Sequence, residues 1–149
     1  MKIVIQRVKQ AKVKVNSEII GNIQQGLLIL VGAENDDDSS DIQYLVSKVL
    51  NLRIFEDENS KMNLSVLDIK GEILAVSQFT LLGDCTKGRR PSFDKAAKGQ
   101  DALSLYEQFV SELKKSDLNI QTGKFGAHMQ VELINDGPVT FVLNSRKII

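Results

Sequence analysis

One cysteine and one histidine stand among 149 residues, and that scarcity excludes whole classes of chemistry. Cys85 alone cannot close an intramolecular disulfide, and Cys85 with His128 cannot supply the donors of the usual zinc sites. Lone residues of these types are more often incidental than a thiol–base pair. No apolar run approaches the ~20 residues that span a bilayer. The start of the chain, Met1 to Arg7, meets charge and amide before any secretory-length apolar stretch. A cytoplasmic, reducing location without membrane attachment is the expectation. Charge of one sign is also missing: 19 Lys and Arg balance 19 Asp and Glu, so no whole-molecule field draws in a polyanion. There is no glycine-rich phosphate loop, no paired-carboxylate arrangement, no repeat and no linker. An enzyme built from this chain would work without metal, cofactor or an obvious titrating base.

What is present fits one ordinary globular domain, with 42% hydrophobic and 26% charged residues and a core covering roughly two-thirds of the unfolded surface. Residues 3–15 alternate as a strand, broken in register at Val8-Lys9-Gln10, which predicts a bulge. Asn16-Ser17-Glu18 turns into a short strand at 19–23. The apolar run Leu27-Leu28-Ile29-Leu30-Val31 predicts a strand buried on both faces. Asp36-Asp37-Asp38 precedes Ile42, Leu45, Val46, Val49 and Leu50 at helical spacing, so these acids are read as complementing the start of a helix over 39–52. Short strands are expected at 53–55 and 64–67, and a central strand at 72–79. Leu103, Tyr106, Phe109, Val110 and Leu113 mark a second helix over 101–116. Met129, Val131 and Leu133 alternate in a last strand that Asp136-Gly137-Pro138 would turn back as a C-terminal hairpin through 139–143. His128, beside them, should face solvent. The fold class is therefore α/β: one compact domain spanning 1–149, mostly antiparallel, with two main helices.

Three stretches could carry function. Ser77-Gln78-Phe79-Thr80-Leu81 ends the central strand. On a regular strand Gln78 and Thr80 would share one face and Ser77 and Phe79 the other. Asn135-Asp136-Gly137-Pro138-Val139-Thr140 reads, as a bare pattern, as a tight turn. Between Asp84 and Lys98 lie Lys87, Arg89, Arg90, Lys95 and Lys98 against only Asp84 and Asp94, a local basic patch that is either a solvated loop or a nucleic-acid contact.

These motifs resemble those of the D-aminoacyl-tRNA deacylase family. So do Gln6-Arg7-Val8 with Ala11 and Val13, Gly26-Leu27-Leu28, Arg53-Ile54-Phe55, Lys61-Met62-Asn63-Leu64, Arg90-Pro91-Ser92-Phe93 and Phe125-Gly126-Ala127-His128-Met129. The matches run in family order along nearly the whole chain. The resemblance implies a homodimer around a β-barrel-like core, with two active sites at the subunit interface and no cofactor or metal. It implies that Ser77, Gln78 and Thr80 serve catalysis, that Phe79, Leu81, Phe125 and Met129 line the substrate pocket, and that Gly137-Pro138, a cis peptide in the family, reaches in from the other subunit. The carbonyls of that dipeptide would exclude an L side chain, while a D side chain points away and glycine slips past. The implied substrate is tRNA carrying a D-amino acid or glycine. Phe125 would stack near the terminal adenine, and Lys87, Arg89 and Arg90 would touch RNA phosphates.

Two mechanisms stay open at this point. Thr80 could be a nucleophile, but no base stands beside it in sequence. Alternatively, water attacks with help from the ribose 2′-OH, and backbone N–H groups near Phe79 and Thr80 hold the oxyanion. Two other functions compete with D-ester hydrolysis. One is removal of L-serine, as by the similar editing domains attached to archaeal threonyl-tRNA synthetases. The other is a non-catalytic RNA-binding module using the basic loop.

Overall fold

A computed structural model describes residues 1–146. Strand β1 (Lys2–Val15) is the spine of the sheet. It turns at Asn16 and Ser17, both at positive φ (49° and 67°), which suits a two-residue hairpin loop. The chain returns as β2 (Glu18–Ile23) and β3 (Gly26–Gly32), both antiparallel to β1. Helix α1 (Ser39–Asn51) follows, with a small hairpin of β4 (Phe55–Glu56) and β5 (Met62–Leu64) after it. Strand β6 (Glu72–Ser77), helix α2 (Gly99–Lys114), β7 (Ile120–Thr122) and β8 (Gln130–Asn144) complete the fold.

β6 lies parallel to β3 on one side and to β7 on the other. The two helices are the crossovers that such parallel pairs require. The curled sheet β2-β1-β3-β6-β7 nearly closes into a barrel, because β2 also packs against β6 and β7. The approach is tight: a Cβ added at Gly21 would lie 2.6 Å from the carbonyl oxygen of Thr122. Both faces of the sheet are buried. Leu27, Ile29, Val31, Ile73 and Ala75 meet the helices through Leu45, Val49, Phe109 and Leu113. Leu28, Leu74 and Val76 pack inside the curl with Val8, Val13 and Ile23. The expected doubly buried run at 27–31 is therefore correct, each such side chain contributing roughly 1.5–3 kcal/mol.

Both helices lie within two residues of their expected bounds. Asp38 caps α1: its carboxylate accepts from the Ser40 and Asp41 amides at 2.7 and 3.3 Å, while Asp41 accepts from the Asp38 amide at 3.1 Å. The Ser40 bonds hold the Asp38 carboxyl below the usual carboxylate range. Asp37 does something the acidic run did not suggest. Its side chain is covered from solvent, accepts from the Glu34 amide at 2.6 Å and pairs with the Met1 ammonium, which also donates to Ser145 Oγ at 2.8 Å. Burial pushes its carboxyl up despite these partners.

Several strands differ from expectation. β4 begins at Phe55 rather than Arg53, and β5 ends where the 64–67 strand was expected to begin. There the Ser65 amide and hydroxyl both donate to Asp68 at 2.8 Å and bend the chain into a turn. β7 went unrecognised because three residues carry no readable period. The largest correction is at the C-terminus, where no hairpin forms. β8 is one strand whose two halves pair with the same neighbour, from Lys14↔Gln130 through Val8↔Asn135 and on from Gln6↔Thr140 to Lys2↔Asn144. The residues from Asp136 through Val139 stand opposite Arg7 alone, as a wide bulge. A full-length edge on β1 lets the chain keep its direction and gain both ladders. Proline, which lacks an N–H, is tolerated in a strand at such a bulge. On β1 the irregularity falls between Gln6 and Gln10, where the sequence pattern breaks.

Candidate active site

β6 delivers Ser77 to the edge of a cavity. Gln78 donates its amide to the Val31 carbonyl at 2.7 Å, and the chain then leaves the sheet as a 3₁₀ turn, Phe79–Leu82. Gly32 permits this, since a Cβ there would lie 3.1 Å from the Gln78 carbonyl oxygen and 3.2 Å from Leu81 Cβ. Lys2 Nζ donates to the Leu81 carbonyl at 3.3 Å and tethers the turn to β1. Strand alternation therefore stops at Ser77, and the expected strand to Phe79 is two residues too long. Gln78 and Thr80 nevertheless meet: the Gln78 carboxamide donates to Thr80 Oγ1. The first N–H groups of a 3₁₀ turn have no intrahelical acceptor. Those of Phe79 and Thr80 are thus available to a substrate oxygen.

The cavity beside this turn holds about 470 Å³, within the range of small-molecule sites. Val31 and Val76 form its base. Ser77, Gln78 and Phe79 make one wall, Ala97, Lys98 and Gly99 another, and the loop from Phe125 to Met129 a third. Phe79, 54% exposed, stands at the mouth with its ring edge-on to Phe93 at 5.0 Å. Tyr106 reaches in from α2 and donates to the Ala75 carbonyl at 2.8 Å, and burial pushes its hydroxyl up to about 12. It packs against Phe125 with ring centroids 5.9 Å apart.

Five of the residues singled out from the sequence converge here: Ser77, Gln78, Phe79, Phe125 and Met129. Thr80 is joined to them through Gln78, and Leu81 sits half-buried in the same turn. Tyr106, Lys98 and His128 also line the cavity but were not read as site residues. Tyr106 had a helical period that marked it as core. His128 is exposed, as expected, but it precedes β8 rather than lying in a strand, and it faces this recess. Cys85 is exposed and lies outside the cavity.

Gly137 and Pro138 do not line the cavity of their own chain. They are exposed on the β8 bulge, joined by a cis peptide, with Gly137 at φ +143°. Arg7 organises that bulge from beneath. It is 5% exposed, donates from Nε to the Asp136 carbonyl at 2.9 Å and from Nη1 to the Ile54 carbonyl at 2.7 Å. Asn135 closes the far side, its Oδ1 accepting from the Val139 amide at 2.7 Å and its Nδ2 donating to Thr140 Oγ1 at 3.0 Å. Three stretches distant in sequence, at 6–8, 53–55 and 135–140, thus build one feature.

Lys87, Arg89 and Arg90 stand exposed on a loop pinched at its base by paired backbone bonds between Asp84 and Ser92, 2.7 and 3.0 Å. The Asp84 carboxylate turns to Thr86, whose hydroxyl and amide hold its carboxyl below the usual range. None of the three cations lines the cavity. Among the described residues no helix is long and apolar enough to cross a membrane.

The model of the family described as D-Tyr-tRNA(Tyr) deacylase matches residues 4–144. A D-aminoacyl-tRNA deacylase of Thermosipho africanus is 59% identical over 148 residues, 99% of each chain. Its counterpart in Clostridioides difficile is 58% identical over 147 residues, again 99% of each. Among solved structures, one named c-Myc DNA Unwinding Element Binding Protein superposes with a TM-score of 0.93 at 44% identity, covering 99% of this chain and 100% of its own. A probable eukaryotic D-amino acid tRNA deacylase shares the fold, with a TM-score of 0.79 at 18% identity over 96% and 98% of the two chains. With near-complete coverage on both sides, the chain belongs to the D-Tyr-tRNA deacylase family.

Proposed function

We propose that this protein hydrolyses the ester joining a D-amino acid, or glycine, to tRNA and so releases both. The observation that carries the reading is the convergence of Ser77, Gln78, Phe79, Phe125 and Met129 on one cavity in a chain whose curated relatives are deacylases. The ester is activated, so the protein's task is positioning and oxyanion stabilisation. Water attacks the carbonyl carbon, helped by the 2′-OH of the terminal ribose. The Phe79 and Thr80 amides receive the oxyanion, the C–O bond breaks, and a proton passes to the leaving ribose oxygen. Gln78 and Thr80 orient the reacting groups. In support, Thr80 Oγ1 is an acceptor from Gln78, a carboxamide that cannot remove its proton.

Chirality is read by exclusion, with the Gly137 and Pro138 carbonyls of a second copy occupying the place an L side chain would need. The exposed bulge, outside its own chain's cavity, supports contribution in trans. Among the described residues β8 pairs only with β1, and Ile134, Phe141 and Val142 stand exposed along it at 48%, 37% and 66%, a surface suited to a homodimer. Phe125 stacks on the terminal adenine, worth roughly 1–3 kcal/mol, and the reaction takes place in the cytoplasm. Deacylase activity is lodged in the whole 1–149 domain.

The test is hydrolysis of D-tyrosyl-tRNA by the wild type beside Thr80→Ala and His128→Gln. Thr80→Ala should slow the reaction without abolishing it, and His128→Gln should leave it within a few-fold, since loss of a true general base costs about 10²–10⁴. No hydrolysis by the wild type defeats the reading. Complete loss in folded Thr80→Ala makes Thr80 the nucleophile. Reversing Lys87, Arg89 and Arg90 to Glu should raise KM and flatten its dependence on salt. An unchanged salt slope removes the loop from the RNA contact.

A further inference from the structure

A second recess of about 510 Å³ runs beside the first, along the outer face of α2 and the end of β7. Leu103, Glu107, Ser111 and Lys114 line it from the helix, and Thr122 and Lys124 from the strand side. Tyr106 and Phe125 belong to both recesses. The two are thus neighbours across a single rib of aromatic rings. We infer that this groove is the track of the single-stranded RNA that precedes the terminal adenosine, with Lys114 and Lys124 as phosphate contacts and the rib as the stacking step between the two recesses. The inference rests on the reading of the cavity as the seat of the aminoacylated terminal nucleoside.

Three features favour RNA here. The groove adjoins the cavity across the Tyr106–Phe125 rib, so a strand anchored in the cavity has a path over half-buried Phe125, whose ring tolerates any base. Its charge is complementary: both lysines are exposed, and only Glu107 opposes them. Lys115, next in sequence, is tied to Glu112 at 2.6 Å, whereas Lys114 has no carboxylate partner among the described residues. From Leu103 to Lys114 the helix rises about 16 Å, enough for a few nucleotides. Glu107, midway, suits a base amino group, as carboxylates accept from cytosine N4. The basic loop at 87–90 is left for the duplex part of the acceptor arm.

The probe is a labelled RNA hairpin with a four-nucleotide single-stranded 3′ end, titrated at several salt concentrations against wild type, Lys114→Glu/Lys124→Glu and Lys115→Glu. The double variant should bind about tenfold more weakly and lose roughly 0.7 in log–log salt slope per phosphate contact, while Lys115→Glu binds like wild type. Hydrolysis of the D-tyrosyl ester of adenosine alone, which has no upstream phosphate, should be unchanged in the double variant. Equal hairpin affinity in wild type and double variant overturns the inference. So does an equal loss in Lys115→Glu, or a parallel loss on the adenosine ester. If the wild type hydrolyses neither ester yet the double variant alone loses hairpin affinity, the groove stands and the deacylase reading falls.

Discussion

Gly137→Ala is expected to cut hydrolysis of D-tyrosyl-tRNA about 100-fold while the protein stays folded. Gly137 sits at φ +143°, a backbone conformation close to glycine-only, and an added Cβ would lie 2.6 Å from Val139 Cγ2, 3.0 Å from the Val139 amide nitrogen and 3.2 Å from Arg7 Nη2. The first contact is with a branched side chain packed beneath the bulge, and Val139 is itself 8% exposed. The bulge must therefore shift to admit the methyl. A displacement near 1 Å at a positioning group is worth about 10² in rate. If the carbonyls at Gly137 and Pro138 police handedness, their displacement also narrows the gap between D and L esters. Initial rates on both esters, with melting curves for each variant, check this. Wild-type rates on both esters in a folded Gly137→Ala protein would remove the bulge from the mechanism.

Arg7→Met should produce the largest loss of stability, about 3 kcal/mol or roughly 10 °C in Tm. Methionine keeps an apolar stem but removes the fork that satisfies the Ile54 and Asp136 carbonyls, leaving one acceptor behind in a buried place and one in a part-buried place. The flanking acids add little. Glu56 and Asp136 lie 3.8 Å from the guanidinium and are 52% and 35% exposed, so water screens them. Arg7→Lys should recover only part of the loss, because one ammonium cannot reach in both directions as a planar guanidinium does. The D-over-L preference should fall in parallel, since Arg7 holds the bulge from below. Calorimetry that places Arg7→Met within 0.5 kcal/mol of wild type (the spread typical of neutral surface changes) would contradict this account of the bulge.

Local rules read well wherever one periodic segment decides its own fate. The apolar spacing of α1 and α2, the turn at Asn16-Ser17 and the doubly buried β3 needed no knowledge of distant residues. Errors arose where a distant partner decides. Asp136-Gly137-Pro138 has turn chemistry, but β1 offers a long edge on both sides of Arg7, and pairing there outweighs reversal. Phe79 continues an apolar alternation, yet the chain leaves the sheet at Gln78. At the site, the motif residues were legible through family resemblance, and the cavity joins five of them. Tyr106 was legible only as core, because helical spacing tells which face is buried and not whether that face borders a void. Lys98 was read only as part of the basic patch and His128 only as a solvent-facing motif residue, since only the closing of the 97–99 and 125–129 loops over β6 makes them neighbours at the cavity. Arg7 shows the same limit: it was noticed as part of a motif, and only the fold explains it.

The most direct measurement compares initial rates on D-tyrosyl-tRNA and L-tyrosyl-tRNA at matched concentrations. The account predicts rapid loss of the D ester and at least about 100-fold slower loss of the L ester, a difference near 2.7 kcal/mol between the two transition states. Equal rates on both, or removal of the L ester alone, would contradict it.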